Sequence, residues 1–164
     1  MQELKDIICY FLKFQKNNSL TNGRLVNLVY LADWRNVIFY KTPISQIDNW
    51  DFLTSTRIYS NQILGEALLN QDVFNIDYGL DLYRPESVII KLKKNSNVKF
   101  NFSENEIASL SHVIKTVSDY SDNDLYYLVS CTYPVMNNKM PLASCYELYK
   151  EYCQRTNERK VVLK

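Results

Sequence analysis

Residues 21–40 read TNGRLVNLVYLADWRNVIFY, and the fold turns on this stretch. Thr21 or Asn22 can cap a helix here, because either side-chain oxygen accepts from the unpaired N–H groups of a first turn. At helical spacing Leu25, Leu28, Val29, Ala32 and Phe39 share one face, and Leu31, Trp34 and Ile38 share roughly the opposite one. Val26, Tyr30 and Val37 fill much of the side between. A helix apolar nearly all round belongs inside a domain rather than on its rim. Arg24, Asn27, Asp33, Arg35 and Asn36 interrupt every window long enough to cross a bilayer. The expectation is a central buried helix over about 21–41, ended by Pro43, which disfavours helical geometry in the residue before it. Other elements wrap on it.

Toward the N-terminus, Leu4, Ile7, Ile8, Phe11 and Leu12 recur at helical spacing, with Glu3, Asp6 and Lys13 turned outward. This predicts a helix over 2–16, broken by Asn17-Asn18-Ser19. So short a loop makes it an antiparallel neighbour of the central helix. Toward the C-terminus, 44–59 reads as irregular or short extended chain holding Trp50 and Phe52. A helix over 59–69 with Ile63 and Ala67 inward follows. Phe74, Ile76, Tyr78, Leu80 and Leu82 then alternate as a half-buried strand does, with Asp77 or Gly79 able to split it.

The clearest strand pattern lies in 87–102. Val88, Ile90 and Leu92 alternate, residues 94–97 can turn, and Val98, Phe100 and Phe102 alternate again, which predicts a β-hairpin with a lysine-rich outer face. Ser103 and Glu106 form a capping box that opens a helix to about 120, with Ile107, Leu110, Ile114 and Val117 inward. Residues 121–124 are a second polar start, after which Leu125, Leu128 and Val129 pack until Pro134. The last helix begins near Pro141, with Leu142, Cys145, Tyr146, Tyr149, Tyr152 and Cys153 in one stripe. Six helices around one hairpin make an α+β fold, mostly α. The expected organisation is one domain over 1–155 and a charged, frayed tail over 156–164.

Composition narrows the function without naming it. A net charge of +1 gives no bulk field toward nucleic acid or an anionic membrane. Three glycines leave little room for phosphate-cradling loops. The 13 tyrosines fit an AT-rich genome as readily as a sticky surface. Cys9, Cys131, Cys145 and Cys153 form no CxxC pair, and His112 is the one histidine, so neither a zinc site nor another cofactor is expected. The chain opens directly on an amphipathic pattern, so no secretory leader is expected and reduced thiols in a cytoplasm fit. No nucleophile elbow, zincin, P-loop or dinucleotide motif occurs. Asp77 with Asp81, and Asp119 with Asp122 and Asp124, read as turn and cap residues rather than as catalytic pairs or a calcium loop. No catalytic residues are assigned.

Asp33 is more informative. A lone charge among apolar neighbours is costly, so its carboxylate must meet an arginine, Arg24 or Arg57, or cap backbone N–H groups. It is either a structural anchor or the polar edge of a groove beside Trp34 and Trp50.

A set of short stretches carries a family resemblance. Residues 25–34, LVNLVYLADW, resemble the "KLxYLADW" helix of the Panacea domain, the SocA-like family of antitoxins and proteolytic adaptors. Tyr40-Lys41-Thr42-Pro43-Ile44 is similar to that family's exit from this helix, and Trp50-Asp51-Phe52 to the extended segment after it. Phe102-Ser103-Glu104-Asn105-Glu106 is similar to its "lSeeE" helix start, and residues 125–134, LYYLVSCTYP, to its late "L..LvhsTyP" signature. The ordered set covers most of 1–155. One departure stands out: the family's "YGP" turn is replaced by Ser55-Thr56-Arg57, so that turn differs in backbone.

The resemblance implies a non-enzymatic binding protein of a prokaryote or phage that neutralises a toxin encoded beside it by direct contact. The alternative it offers is an adaptor that delivers its partner to a protease. The expected partner site is a patch of exposed aromatics, Trp34, Trp50, Phe52, Tyr59 and Tyr133, with Asp33 and Arg57. A small-ligand protein or enzyme would instead converge Asp33, Arg57 and His112 on a pocket. DNA binding lacks a basic helix or a helix-turn-helix.

Overall fold

The computed structural model describes residues 3–15, 17–47, 50–54, 57–79, 84–94, 96, 98–138 and 141–162. The central helix, α2, spans Asn22–Tyr40, and thirteen of its nineteen residues are buried. Thr21 caps it, its Oγ1 accepting from the Arg24 N–H at 3.2 Å. It ends at Lys41, whose backbone is left-handed (φ 67°) and whose N–H donates to the Val37 carbonyl at 2.9 Å. That left-handed step satisfies a terminal carbonyl and turns the chain toward Pro43.

Around α2 pack α1 (Leu4–Lys13), α3 (Asn61–Leu69), α4 (Glu104–Val117), α5 (Asp122–Ser130) and α7 (Leu142–Val162). A short α6 (Tyr133–Met136), with Pro134 in its first turn, links α5 to α7. Among the described residues there are thus seven α-helices where six were expected, α6 being the extra one. None of them is long and apolar enough to cross a membrane. The last helix continues through Val162, so residues 156–162 of the tail expected to fray extend α7.

The expected hairpin over 87–102 is corrected. Its first half is β5 (Ile89–Leu92), the middle strand of a three-stranded antiparallel sheet between β1 (Ser19–Thr21) and β4 (Phe74–Asp77). Ile90 faces Leu20 on one side and Ile76 on the other. Both edges of β5 are therefore taken, and residues 98–102 form no strand. Phe100 and Phe102 pack instead on the Tyr10 ring of α1, at centroid distances of 5.3 and 5.5 Å. Alternation fixes which side chains face inward and leaves the pairing partner open. In the expected irregular stretch, β2 (Asp51–Thr54) pairs antiparallel with β3 (Arg57–Tyr59). The replaced turn at Ser55-Thr56 lies outside the described residues, as do residues 80–83 of the expected strand over 73–83.

Capping fixes the helices that matter for the site. Ser103 and Glu106 close a capping box on α4, and Ser121 with Asp124 closes a second on α5. The inward stripe of α4 is Ser109, Leu110, Val113 and Val117, while Ile107 is 42% exposed and Ile114 only half-buried. The rotation follows from polar chemistry: Ser109 is buried because its Oγ donates to Asn36 Oδ1 (2.9 Å) and accepts from Arg35 Nη1 (3.1 Å). Arg24 meanwhile reaches the Val117 carbonyl at 3.2 Å, so α2 and α4 run antiparallel.

Candidate functional site

The two faces of α2 end in opposite environments. Leu25, Leu28, Val29 and Ala32 are sealed in the core. Leu31 and Ile38 are half-buried, and with Trp34 and Arg35 they form one wall of a groove of about 200 Å³. His112, Val113, Thr116 and Val117 of α4 form the opposing wall, and Leu128 of α5 closes one end. Leu128 also borders a second depression, about 510 Å³, shared with Asp119, Tyr120, Asp124, Tyr127 and Cys131. The two make one apolar band across α2, α4 and α5.

Large aromatics stand at both ends of the band. Phe39, expected on the core face, is 61% exposed, because it lies in the last turn of α2. The Arg35 guanidinium sits over its ring, 4.6 Å from the centroid. At the other end Tyr127 is 73% exposed, with Tyr120 beside it. Trp34 is 5% exposed and joins the groove to a ring cluster behind it. Its indole meets Tyr149 edge-on at 5.3 Å, and Tyr133 lies 5.8 Å from Tyr149 and 5.4 Å from Tyr152. Such a band offers apolar side chains a dry contact.

Asp33, on the same helix, is fully buried and faces away from the groove. One of its oxygens accepts from the Ile44 and Ser45 N–H groups, at 2.9 and 2.8 Å, and the other accepts from the Ser45 hydroxyl. Burial pushes its pKa up to about 6, and the three donors hold it from rising further. Asn36 extends the same clasp by donating to the Thr42 carbonyl at 2.8 Å. Of the partners open to Asp33, the backbone is therefore the one it takes. Arg24 instead pairs with Asp122 at 2.7 Å, and the side chain of Arg57 lies outside the described residues.

The residues expected to form one aromatic patch are spread over three places. Trp34 and Tyr133 share the cluster on α7, Tyr133 being half-buried. Trp50 is 3% exposed and packs edge-on against Tyr30 at 5.5 Å, its indole N–H buried without an acceptor among the described residues. Tyr59 lies on β3, beside a cavity of about 30 Å³ with Asn22, Val26 and Tyr126 at the other half of α2. Phe52 lies on β2, its side chain outside the described residues. The expected exposed patch thus does not form around Trp34 and Trp50, since both rings are part of the core. Asp33 and His112 do not converge either, as His112 is exposed on the groove wall.

Sequence reading named the Leu31–Trp34–Ile38 face without deciding whether it met solvent. It missed Phe39 and Tyr127 as exposed rings and Arg35 as a groove residue. Among the described residues, no group of three or more His, Cys, Asp or Glu is placed to hold a metal ion. Cys9 and Cys145 are buried, and burial pushes the Cys9 thiol up to about 12. Comparison of the chain with protein-family models, with characterised proteins and with solved structures finds no match.

Proposed function

We propose that this protein is a non-enzymatic binding module that docks a protein partner along the α2–α4–α5 groove. The observation that carries the reading is the groove itself: an apolar band, half-covered, with Phe39 and Tyr127 exposed at its ends. Exposed aromatics beside an apolar channel are the usual anchors of a protein interface. The occupied carboxylate of Asp33 and its separation from His112 favour binding over catalysis. The sequence resemblance supplies the kind of partner, a toxin encoded beside this chain in a prokaryote or phage and neutralised by direct contact.

The test is co-expression with the product of the adjacent reading frame. Wild type restores growth and co-purifies with that product at fixed stoichiometry, whereas folded Leu31→Asp and Phe39→Asp variants do neither. Toxicity unrelieved by wild type, or relieved equally by both variants, contradicts the proposal. Trp50→Ala is unsuited to this experiment because Trp50 is core and the variant reports on folding.

A further inference from the structure

From the charges along the groove we infer that its occupant is an amphipathic helix of the partner protein, carrying a carboxylate side chain at the end that meets Arg35. The inference rests on the groove being the docking site and adds the secondary structure and charge of what fills it. The titratable groups lining the groove among the described residues are Arg35 and His112, with no acid. Arg35 is half-buried, yet its partners among the described residues are the neutral Ser109 hydroxyl and the Phe39 ring. A partly desolvated guanidinium without a carboxylate is an open half of a charge-assisted pair. The other end of the band has the opposite sign, since Asp119 and Asp124 line the depression beyond Leu128. An acidic group on the partner therefore belongs at the Arg35 end and is repelled at the other.

The shape selects a helix. Both walls are side chains of helices whose backbone groups are internally bonded, so an extended peptide would find no ladder to join. A helix needs only an apolar stripe. Leu31 to Phe39 spans about 12 Å of α2, which matches about two turns of a docked helix.

The probe is a displayed library of sixteen-residue helices with a fixed leucine stripe and randomised flanking positions, selected on the full wild-type chain. The selected helices are expected to carry Asp or Glu at one end of the stripe. They should lose at least tenfold in affinity toward Arg35→Glu, and replacing their acid by lysine should recover binding to that variant. His112→Glu, an exposed substitution, should weaken them by a smaller factor, and Leu31→Asp should abolish binding with the circular dichroism spectrum unchanged. The inference is overturned if no helices are enriched or if they show no acidic bias. It is equally overturned if they bind Arg35→Glu and Leu31→Asp as well as wild type, or if light scattering shows that a second copy of the chain already fills the groove. Failure of this inference and failure of the toxin reading are separable. Growth rescue retained in Arg35→Glu leaves the binding module standing without its charge rule. Selected acidic helices without any toxin rescue keep the groove and discard the toxin.

Discussion

Two sites on α2, less than a turn apart, use polar chemistry in opposite ways. Asp33 is closed: its carboxylate oxygens are taken by the Ile44 and Ser45 N–H groups and the Ser45 hydroxyl, which holds residues 44–45 against the helix. The groove beginning at Leu31 and Trp34 is open, with apolar walls and one guanidinium that has no carboxylate partner among the described residues. The closed site accounts for stability, and the open one is where we propose recognition takes place. A charged residue in an apolar helix therefore does not by itself mark function. What separates the two is whether its hydrogen-bonding capacity is exhausted within the chain.

Substitutions can break this contrast, beginning with the largest expected effect. Asp33→Ala leaves the Ile44 and Ser45 N–H groups buried without acceptors and opens a small void. It should cost about 3–5 kcal/mol in urea unfolding, since each orphaned donor loses its full desolvation term. Asp33→Asn keeps an acceptor for both N–H groups and should stay within about 1 kcal/mol of wild type at neutral pH. A loss as large for Asn as for Ala would show that the charge itself is required there.

Acidity sharpens the same point. The folded pKa of Asp33, about 6, lies above the value near 4 expected of an unfolded aspartate. Between those values the folded state holds its proton more tightly, so this contribution is fully present below about pH 4 and lost as pH rises through about 6. The difference in unfolding free energy between wild type and Asp33→Asn should move by up to about 3 kcal/mol across that window. A flat difference would contradict the buried clasp.

Gly23→Ala probes the other half of α2. A Cβ there would lie 2.9 Å from the Tyr126 hydroxyl, 3.1 Å from Glu86 Cβ and 3.2 Å from the Glu86 carbonyl. The last two contacts cannot swing away, so the variant should lose about 1–3 kcal/mol by overpacking. The smallest effect on stability should come from the groove. Leu31→Ser and Phe39→Ser should each stay within about 1 kcal/mol in thermal unfolding while partner binding is lost. A large destabilisation by Phe39→Ser would mean that its ring is covered.

Much of this architecture was legible from local chemistry. The caps at Thr21, Ser103 and Ser121 are side-chain oxygens three residues before the N–H they accept, a spacing visible in the chain. The alternation of Val88, Ile90 and Leu92 was correctly inward. Of the strands flanking β5, β4 was legible in the alternation of Phe74 and Ile76, whereas β1 was not, because it is three residues long and its pairing to Ile89–Leu92 is set by tertiary contact. Phe39 was misplaced because periodicity assigns a helical face and says nothing of where the core ends. The candidate site was half visible: Leu31, Trp34 and Ile38 were grouped as one face, but that α7 would cover Trp34 and leave Leu31 open depends on packing far along the chain.

The most direct test of the account is a hydrogen-exchange footprint of the complex with the adjacent gene's product. Added protection should fall on the α4 segment around 109–117 and on α5 around 127–128, and vanish in Leu31→Asp. Protection centred on the β2–β3 hairpin, with the groove segments unchanged, would contradict the central claim that this groove is the docking site.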